Sequence, residues 1–318
     1  MKKTLSIFSL LLSLGLYAQQ YPWWTQYRGQ QYMLNPGFCG TKRLIDVRLN
    51  YRNQWVGYDG APKTYALSIN SRLWKGRIGV GGFMFQDNIG PFRNTVSSLT
   101  FAYHIKFPDS ELSFGVQGNY LKQKFVGTDV TLRNQQDRAI NQYITDAAGT
   151  FDGSFGLVYY NDRFHLAAGA NNIIGSELKH YKKDSLKSGK YTNTAHYNVS
   201  AGYNWAENPD FVFENSVMAV YTSGMPILID YTLRLHIKKQ LMAGFAIRFK
   251  DAVALQLGYT IMDQFQIVYS YDFVTSPLRH YQSGSHEAKF IWSTNLGTDK
   301  KRRGLNRDFI RQKFQYLL

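Results

Sequence analysis

The sequence predicts an all-β protein, a transmembrane antiparallel β-barrel of about 14 strands that crosses a bacterial outer membrane. Three observations predict this fold. The chain of 318 residues opens with a secretory leader, and most of the rest alternates between apolar and polar residues. The connections between alternating segments are short at one rim and long at the other. The mean hydropathy of −0.34 fits, because only every second residue of a barrel strand faces lipid.

The first residues are interpreted as a signal peptide. Lys2 and Lys3 form a positive start, the run from Leu5 to Leu16 is apolar, and Ala18 is a small residue at a cleavage site. The apolar run is shorter than the roughly 20 residues of a membrane-spanning helix. The predicted organisation is a signal peptide over residues 1–18, a barrel with an N-terminal periplasmic segment over 19–298, and a basic periplasmic tail over 299–318.

Alternation with a period of two residues continues from about Thr41 onward. Between Leu99 and Phe107, large apolar residues alternate with Thr, Ala, His and Lys, and the stretch from Ile227 to Ile237 repeats the pattern. Period two indicates strands, whose successive side chains point to opposite faces. The predicted strands begin near Lys42, Lys63, Arg77, Thr95, Glu111, Thr150, Arg163, Thr194, Phe211, Pro226, Gln240, Ala252, Gln264 and His286.

The connections favour a membrane barrel over a soluble sandwich. Short turns fall on one side, and the two longest connections, Lys124–Gly149 and Ile173–Asn193, fall on the other, as in outer-membrane barrels. Lys250–Asp251 is a short exception on the long-loop side. A soluble core would not be dominated by Tyr, whereas an aromatic outside around a polar lumen suits a membrane. The short turns are Trp74–Gly76, Pro108–Ser110, Asn161–Asp162, Lys238–Lys239 and Met262–Asp263.

Several charged residues are predicted to face the lumen. They are Asp46, Arg48, Asp230, Arg234 and Asp272. We favour a network of internal ion pairs that closes the barrel, and a selectivity filter is the alternative.

No catalytic, cofactor-binding or metal site is predicted. The seven histidines are scattered, and no nucleophile, metal or phosphate motif occurs. His286 and Glu287 are adjacent, so on a strand they point to opposite faces. The single cysteine, Cys39, excludes an internal disulfide and is interpreted as a small apolar filler.

Four motifs carry a family resemblance. They are Gln31–Thr41 (QYMLNPGFCGT), Tyr51–Trp55 (YRNQW), Gly60–Thr64 (GAPKT) and Ser283–Glu287 (SGSHE). In this order they resemble the PorP/SprF family of the type IX secretion system of Bacteroidetes. The sequence departs from the family at Phe38-Cys39-Gly40, where a Tyr-Ala-Gly-like run is usual, and it continues for about twenty residues past the point where many members end.

The resemblance implies an outer-membrane accessory component and not an enzyme. Such proteins support secretion or surface attachment of cargo with a type IX C-terminal signal, including gliding adhesins, or act with periplasmic ring proteins. A diffusion porin or transporter is the rival interpretation. The candidate structural or partner residues are Asn35, Pro36, Arg52, Trp55, Gly60, Pro62, His286 and Glu287. Among them, Asn35-Pro36 is expected to open a turn, and Arg52 with Trp55 to clamp the first outer loop.

The C-terminal tail carries a concentrated part of the net charge of +15. Export excludes nucleic acid as its partner, which leaves an acidic periplasmic protein, a membrane surface or solvent alone. The candidate docking residues are Lys300, Lys301, Arg302, Arg303, Arg307 and Arg311.

Overall fold

The computed structural model describes residues 22–73, 76–130, 145–180, 189–208 and 210–294. The predicted signal peptide and the basic tail with its six docking residues lie outside these ranges. So do Trp74 and Lys75 of one short turn and residues 131–144 and 181–188 of the two long connections.

Fourteen strands form one closed barrel, each antiparallel to its neighbours, which confirms the predicted fold class. Closure joins the first strand to the last, from the Ile45–Thr294 pair to the Asn53–His286 pair. The barrel strands are β1 (Ile45–Asn53), β2 (Lys63–Leu73), β3 (Ile78–Ile89), β4 (Phe92–Lys106), β5 (Glu111–Val126), β6 (Thr145–Tyr160), β7 (Phe164–Asn171), β10 (His196–Asn208), β11 (Phe211–Thr222), β12 (Leu228–Ile237), β13 (Leu241–Arg248), β14 (Ala252–Ile261), β15 (Phe265–Val274) and β16 (Ser285–Thr294).

Two features of the strands differ from the sequence-based expectation. β8 (Glu177–His180) and β9 (Gly189–Thr192) form a separate hairpin within a connection that was expected to be a loop. In addition, β3 and β4 pair as far as Ile89 and Phe92, so Gly90-Pro91 is a second short connection on the long-loop side. Gly90 has a φ of 51°, which a glycine adopts at little cost.

The two faces of the wall have opposite character. Leu99, Phe151 and Leu257 point outward and are among the most exposed large apolar side chains, at 78%, 72% and 64%. Asp46, Thr64 and Gln256 alternate with such residues and are buried inside. Apolar side chains outside and polar side chains inside are the reverse of the arrangement in a soluble protein, and they are what a barrel surrounded by lipid requires. No helix in the described part of the chain is long and apolar enough to span a bilayer.

The connections define an inner rim and an outer rim of the barrel. The inner rim carries turns such as Lys238-Lys239 and Met262-Asp263, in which both residues have positive φ. Such turns match the twist of the strands that they join. The outer rim carries the longer loops, including residues 54–62 and 275–284. By the asymmetry of outer-membrane barrels, the inner rim faces the periplasm.

Residues 22–44, here called the lumen segment, lie inside the barrel. Two 3₁₀ turns, Tyr27–Gly29 and Pro36–Phe38, flank a single turn of α-helix, α1 (Gln31–Leu34). The expected periplasmic location of this segment is therefore wrong for residues 22–44. Trp24, Tyr27, Met33 and Cys39 have no exposed surface. Burying a large apolar side chain contributes about 1.5–3 kcal/mol, which favours the lumen over water.

Candidate functional site

The candidate site is the contact between the lumen segment and the barrel wall. The segment begins near the outer rim, where Pro22 lines a cavity of about 380 Å³ together with Met225, Pro226 and Lys250 of the outer loops. It ends near the inner rim at Leu44, where β1 begins. The chain thus passes through the lumen from one rim to the other before the first strand.

The outer contact is centred on Thr25. Its hydroxyl donates to Asp272 at 2.7 Å, and its backbone N–H donates to Glu287 at 2.8 Å. Arg52 donates to the Thr25 hydroxyl at 2.8 Å, to Asp272 at 2.7 Å and to Glu287 at 3.1 Å. Arg248 adds a further bond to the Thr25 hydroxyl at 3.0 Å. One threonine of the segment therefore joins four charged wall residues.

Trp23 extends the outer contact to β12. Its indole N–H donates to Asp230 at 3.3 Å, and its ring lies 5.8 Å from the guanidinium carbon of Arg248. Arg248 also lies 3.6 Å from Asp230. A cation over an aromatic face is attractive, and the attraction grows when water is excluded.

Arg28 makes the central contact. Its Nε lies 2.5 Å from Oε1 of Glu214, and both side chains are buried. Glu214 also pairs with His236 at 3.0 Å and lies 3.8 Å from Arg234. On the opposite wall, Lys289 donates to the backbone carbonyl of Gln26 at 2.7 Å. Opposite charges offset the cost of burying each ion.

The Asn35-Pro36-Gly37 turn lies against a flat patch of wall glycines. The Asn35 side chain accepts from the Gly37 N–H at 2.9 Å and so caps the 3₁₀ turn. A Cβ placed on Gly115 would collide with the backbone of Pro36, and one on Gly156 with the Asn35 side chain. Asn171 and Asn198 donate to the Leu34 carbonyl at 2.7 and 2.9 Å. The wall is therefore shaped to receive this turn.

The inner contact surrounds Glu111. Arg43 of the segment and Arg72 of β2 both donate to this carboxylate, and the Tyr160 hydroxyl donates to it at 2.7 Å. His104 lies 3.0 Å from the carbonyl oxygen of Cys39. A Cβ on Gly79 would collide with that same carbonyl.

The lumen charges predicted from the sequence lie in ion pairs. Asp46 pairs with Arg48 at 2.5 Å and lies 3.6 Å from Lys42. Asp230, Arg234 and Asp272 belong to the outer and central contacts described above. Among the described His, Cys, Asp and Glu residues, no group is arranged to hold a metal ion.

The family-motif residues separate into three places. Asn35 and Pro36 lie in the lumen segment, and Arg52 and Glu287 hold its outer end. His286 is on the outward face, with Nδ1 at 2.6 Å from the Tyr269 hydroxyl. Arg52 does not clamp the first outer loop, because both terminal nitrogens of its guanidinium donate to partners in the lumen. Trp55, Gly60 and Pro62 lie in that loop.

Backbone hydrogen bonds hold the first outer loop. The Trp55 N–H donates to the Ser285 hydroxyl at 3.1 Å, and the Gln54 N–H donates to the Pro62 carbonyl at 3.0 Å. The Gly60 carbonyl accepts from the Gly90 N–H at 2.9 Å. Gly60 has a φ of 74°, a conformation that favours glycine.

Sequence reasoning missed the aromatic start of the lumen segment. Trp23, Trp24 and Tyr27 fall between the leader and β1 and show no period of two. An aromatic cluster outside the alternating region was the available signal, since such side chains are rarely left in water.

The comparison with known families agrees with this geometry. The family described as "Type IX secretion system membrane protein PorP/SprF" matches residues 16–291. The chain belongs to the PorP/SprF family. It is a type IX secretion system membrane protein with an outer-membrane barrel fold. No curated protein is similar enough in sequence to count as a relative.

Solved structures share the fold of this PorP/SprF protein at low sequence identity. The toluene transporter TbuX of Ralstonia pickettii is 10% identical with a TM-score of 0.50, and the match covers 83% of this chain and 92% of TbuX. The toluene transporter TodX of P. putida is 11% identical with a TM-score of 0.45, and the match covers 82% and 92%. At these identities the likeness to TbuX shows the fold alone.

Proposed function

We propose that this PorP/SprF protein is a plugged accessory component of the type IX secretion system. In this role it links secreted or surface cargo, such as a gliding adhesin, or the periplasmic ring to the outer membrane. The observation that carries the proposal is the lumen segment, which is fastened to the wall near both rims and in between. A component that anchors partners needs no open pore.

The arrangement of cavities supports a closed lumen. The outer cavity of about 380 Å³ is lined by Pro22, Trp23 and Leu34 of the segment. A second cavity, of about 110 Å³ near the inner rim, is lined by Gln26 and Arg28. The two share no lining residue, and the segment lies between them.

The rival function is a diffusion porin or transporter. Its support is the fold shared with TbuX, which is a toluene transporter. Passage through this barrel would require the lumen segment to leave, which breaks the Arg28–Glu214 pair and the Arg52 contacts. The accessory role is therefore the one that the geometry favours.

Affinity purification from the native outer membrane tests the accessory role. A tag placed in the outer loop of residues 223–227 leaves both chain ends unmodified. We expect other type IX secretion components, or a protein with a type IX C-terminal signal, to co-purify in amounts near stoichiometric. Recovery of the inserted barrel with none of these partners would contradict the proposal.

The basic tail is proposed to contact an acidic periplasmic ring component. Its support is the sequence alone, since seven Lys and Arg residues oppose two Asp residues over residues 299–318. Deleting residues 300–318 should abolish co-purification of the ring while the barrel remains inserted. Replacing the same cations with Gln separates charge from length, and unchanged co-purification in both variants would refute the contact.

A further inference from the structure

A cluster of cations lies on the outward face of the barrel, away from the lumen. Arg93 of β4 and Lys122 and Lys124 of β5 line a shallow cavity of about 410 Å³. Gln86, Thr95 and the carboxylate of Asp129 also line it. We call the five donors Gln86, Arg93, Thr95, Lys122 and Lys124 the outward basic patch.

Strand register brings the patch together. Thr95 pairs with both Gln86 on β3 and Lys122 on β5, and Arg93 pairs with Lys124. Directly paired residues on one face have Cβ atoms about 4.5–5.5 Å apart. The five side chains therefore form a compact group of donors on three adjacent strands.

The patch lies at the upper edge of the apolar band. Below Lys122, the outward residues of β5 are Leu112, Phe114, Val116, Gly118 and Tyr120. Ten residues separate Leu112 from Lys122, and at about 3.3 Å each with a tilt of 35–45° they rise about 25 Å. This is about the height of the apolar band of a barrel, so the lysines lie where lipid headgroups begin.

The charges of the patch are available to a ligand. Lys122 and Lys124 are exposed, and no ion pair joins either one to another described residue. Arg93 donates to Asp129 and to the Gly90 carbonyl, which fixes its guanidinium beside the cavity. The patch thus holds three cations against one carboxylate.

Strands β11 to β16 have no equivalent at this height, and the nearest further outward cation is Lys63 at the start of β2 on the same side of the barrel. The uppermost outward positions of β11 to β16 carry no Lys or Arg and are Tyr221, Ile229, Ile247, Val253, Phe273 and His286. The cations are therefore concentrated on one side of the barrel. This is expected of a site that binds one ligand, and not of a charge spread over the whole surface.

We propose that the outward basic patch binds the phosphate of a glycolipid headgroup in the outer leaflet. Lys122 and Lys124 supply point charges, Arg93 adds a positive charge beside them while its guanidinium stays bonded to Asp129 and the Gly90 carbonyl, and Thr95 and Gln86 add neutral hydrogen bonds. The acyl chains of the same lipid lie against Tyr120 and Leu99 below. This site is independent of the lumen segment and of any secretion partner.

Lipid retention by the full-length protein tests this site. The protein is placed in nanodiscs of phosphatidylcholine that contain lipid A with two phosphates, and bound lipid A is counted by native mass spectrometry. The variant is K122Q/K124Q, and the matched control is K238Q/K239Q, which removes the same charge at the inner rim. Lys122 and Lys124 are exposed on β5, and Lys238 and Lys239 are exposed in a turn. Strand content measured by circular dichroism checks that both variants fold.

We expect wild type and the control to retain lipid A, and K122Q/K124Q to lose at least about tenfold in retention, because each cation near an anionic membrane surface contributes to binding. Lipid A stripped of phosphate should not be retained, and millimolar inorganic phosphate should not displace the intact lipid. Equal retention by K122Q/K124Q and wild type would overturn the site. Retention of the stripped lipid, or displacement by free phosphate, would overturn the lipid phosphate as the ligand.

Discussion

Arg52 and Glu287 lie 235 positions apart in the sequence, and their side chains meet at 3.1 Å in the lumen. Both belong to family motifs, and both hold the start of the lumen segment. Glu287 also accepts from the Thr25 N–H and from Asn50 at 2.8 and 3.0 Å. Its carboxylate is therefore the common acceptor that joins the segment, β1 and β16.

Replacing Glu287 with Gln should destabilise the folded barrel strongly. The change leaves Arg52 with a single carboxylate partner in a buried site, and we expect a loss of about 3 kcal/mol in the free energy of unfolding. Urea unfolding in detergent measures it. His286→Gln is the matched control, because His286 is the adjacent residue and its side chain faces outward. We expect this change to cost under about 1 kcal/mol in the free energy of unfolding. Equal losses in the two variants would refute the role of Glu287.

Cys39 is a natural reporter of the lumen segment because it is the single cysteine of the chain. It has no exposed surface, and burial raises the pKa of its thiol to about 12. The thiolate is the reactive form, and the raised pKa keeps the thiol protonated at pH 8. Maleimide should leave the folded protein unlabelled and label the urea-unfolded protein once per chain. Rapid labelling of the folded protein would show that the segment does not stay in the lumen.

At the scale of elements, the strands were predictable and the lumen segment was not. Leu99, Phe101 and Tyr103 alternate with smaller or polar residues, and this local pattern fixes both the strand and its outward face. The lumen segment instead depends on contacts between distant residues, such as Thr25 with Asp272. No spacing in the sequence encodes such a pair, so its position could not be read from periodicity.

Wall glycines give a direct test of how the segment is seated. Gly115→Ala places a Cβ against the backbone of Pro36, whereas Gly118→Ala, on the same strand, meets nothing within 4 Å. The first change should displace the Asn35-Pro36 turn, since forcing atoms into a packed site costs about 1–3 kcal/mol. We expect maleimide labelling of Cys39 to rise in Gly115→Ala and to stay at the wild-type level in Gly118→Ala. The same labelling rate in both variants would contradict the seating.

At the scale of the whole molecule, the sequence motifs predicted the family and the fold, and the structure added the closed lumen. Arg52 illustrates the difference, because its motif was correctly associated with the family while its expected contact with the outer loop was wrong. The motif identified Arg52 as a family residue without indicating its partners. Asp272 and Glu287 come into contact with Arg52 only when the barrel closes. The charged residues of the lumen thus attach the lumen segment to the barrel wall.

The central claim is that the lumen segment closes the barrel, and conductance across a planar bilayer tests it most directly. Purified full-length protein should insert without a steady conductance, because the segment is fastened near both rims. Gly115→Ala should introduce intermittent openings, and Gly118→Ala should not. A large, steady conductance from the wild-type protein would contradict the closed lumen and favour the diffusion channel.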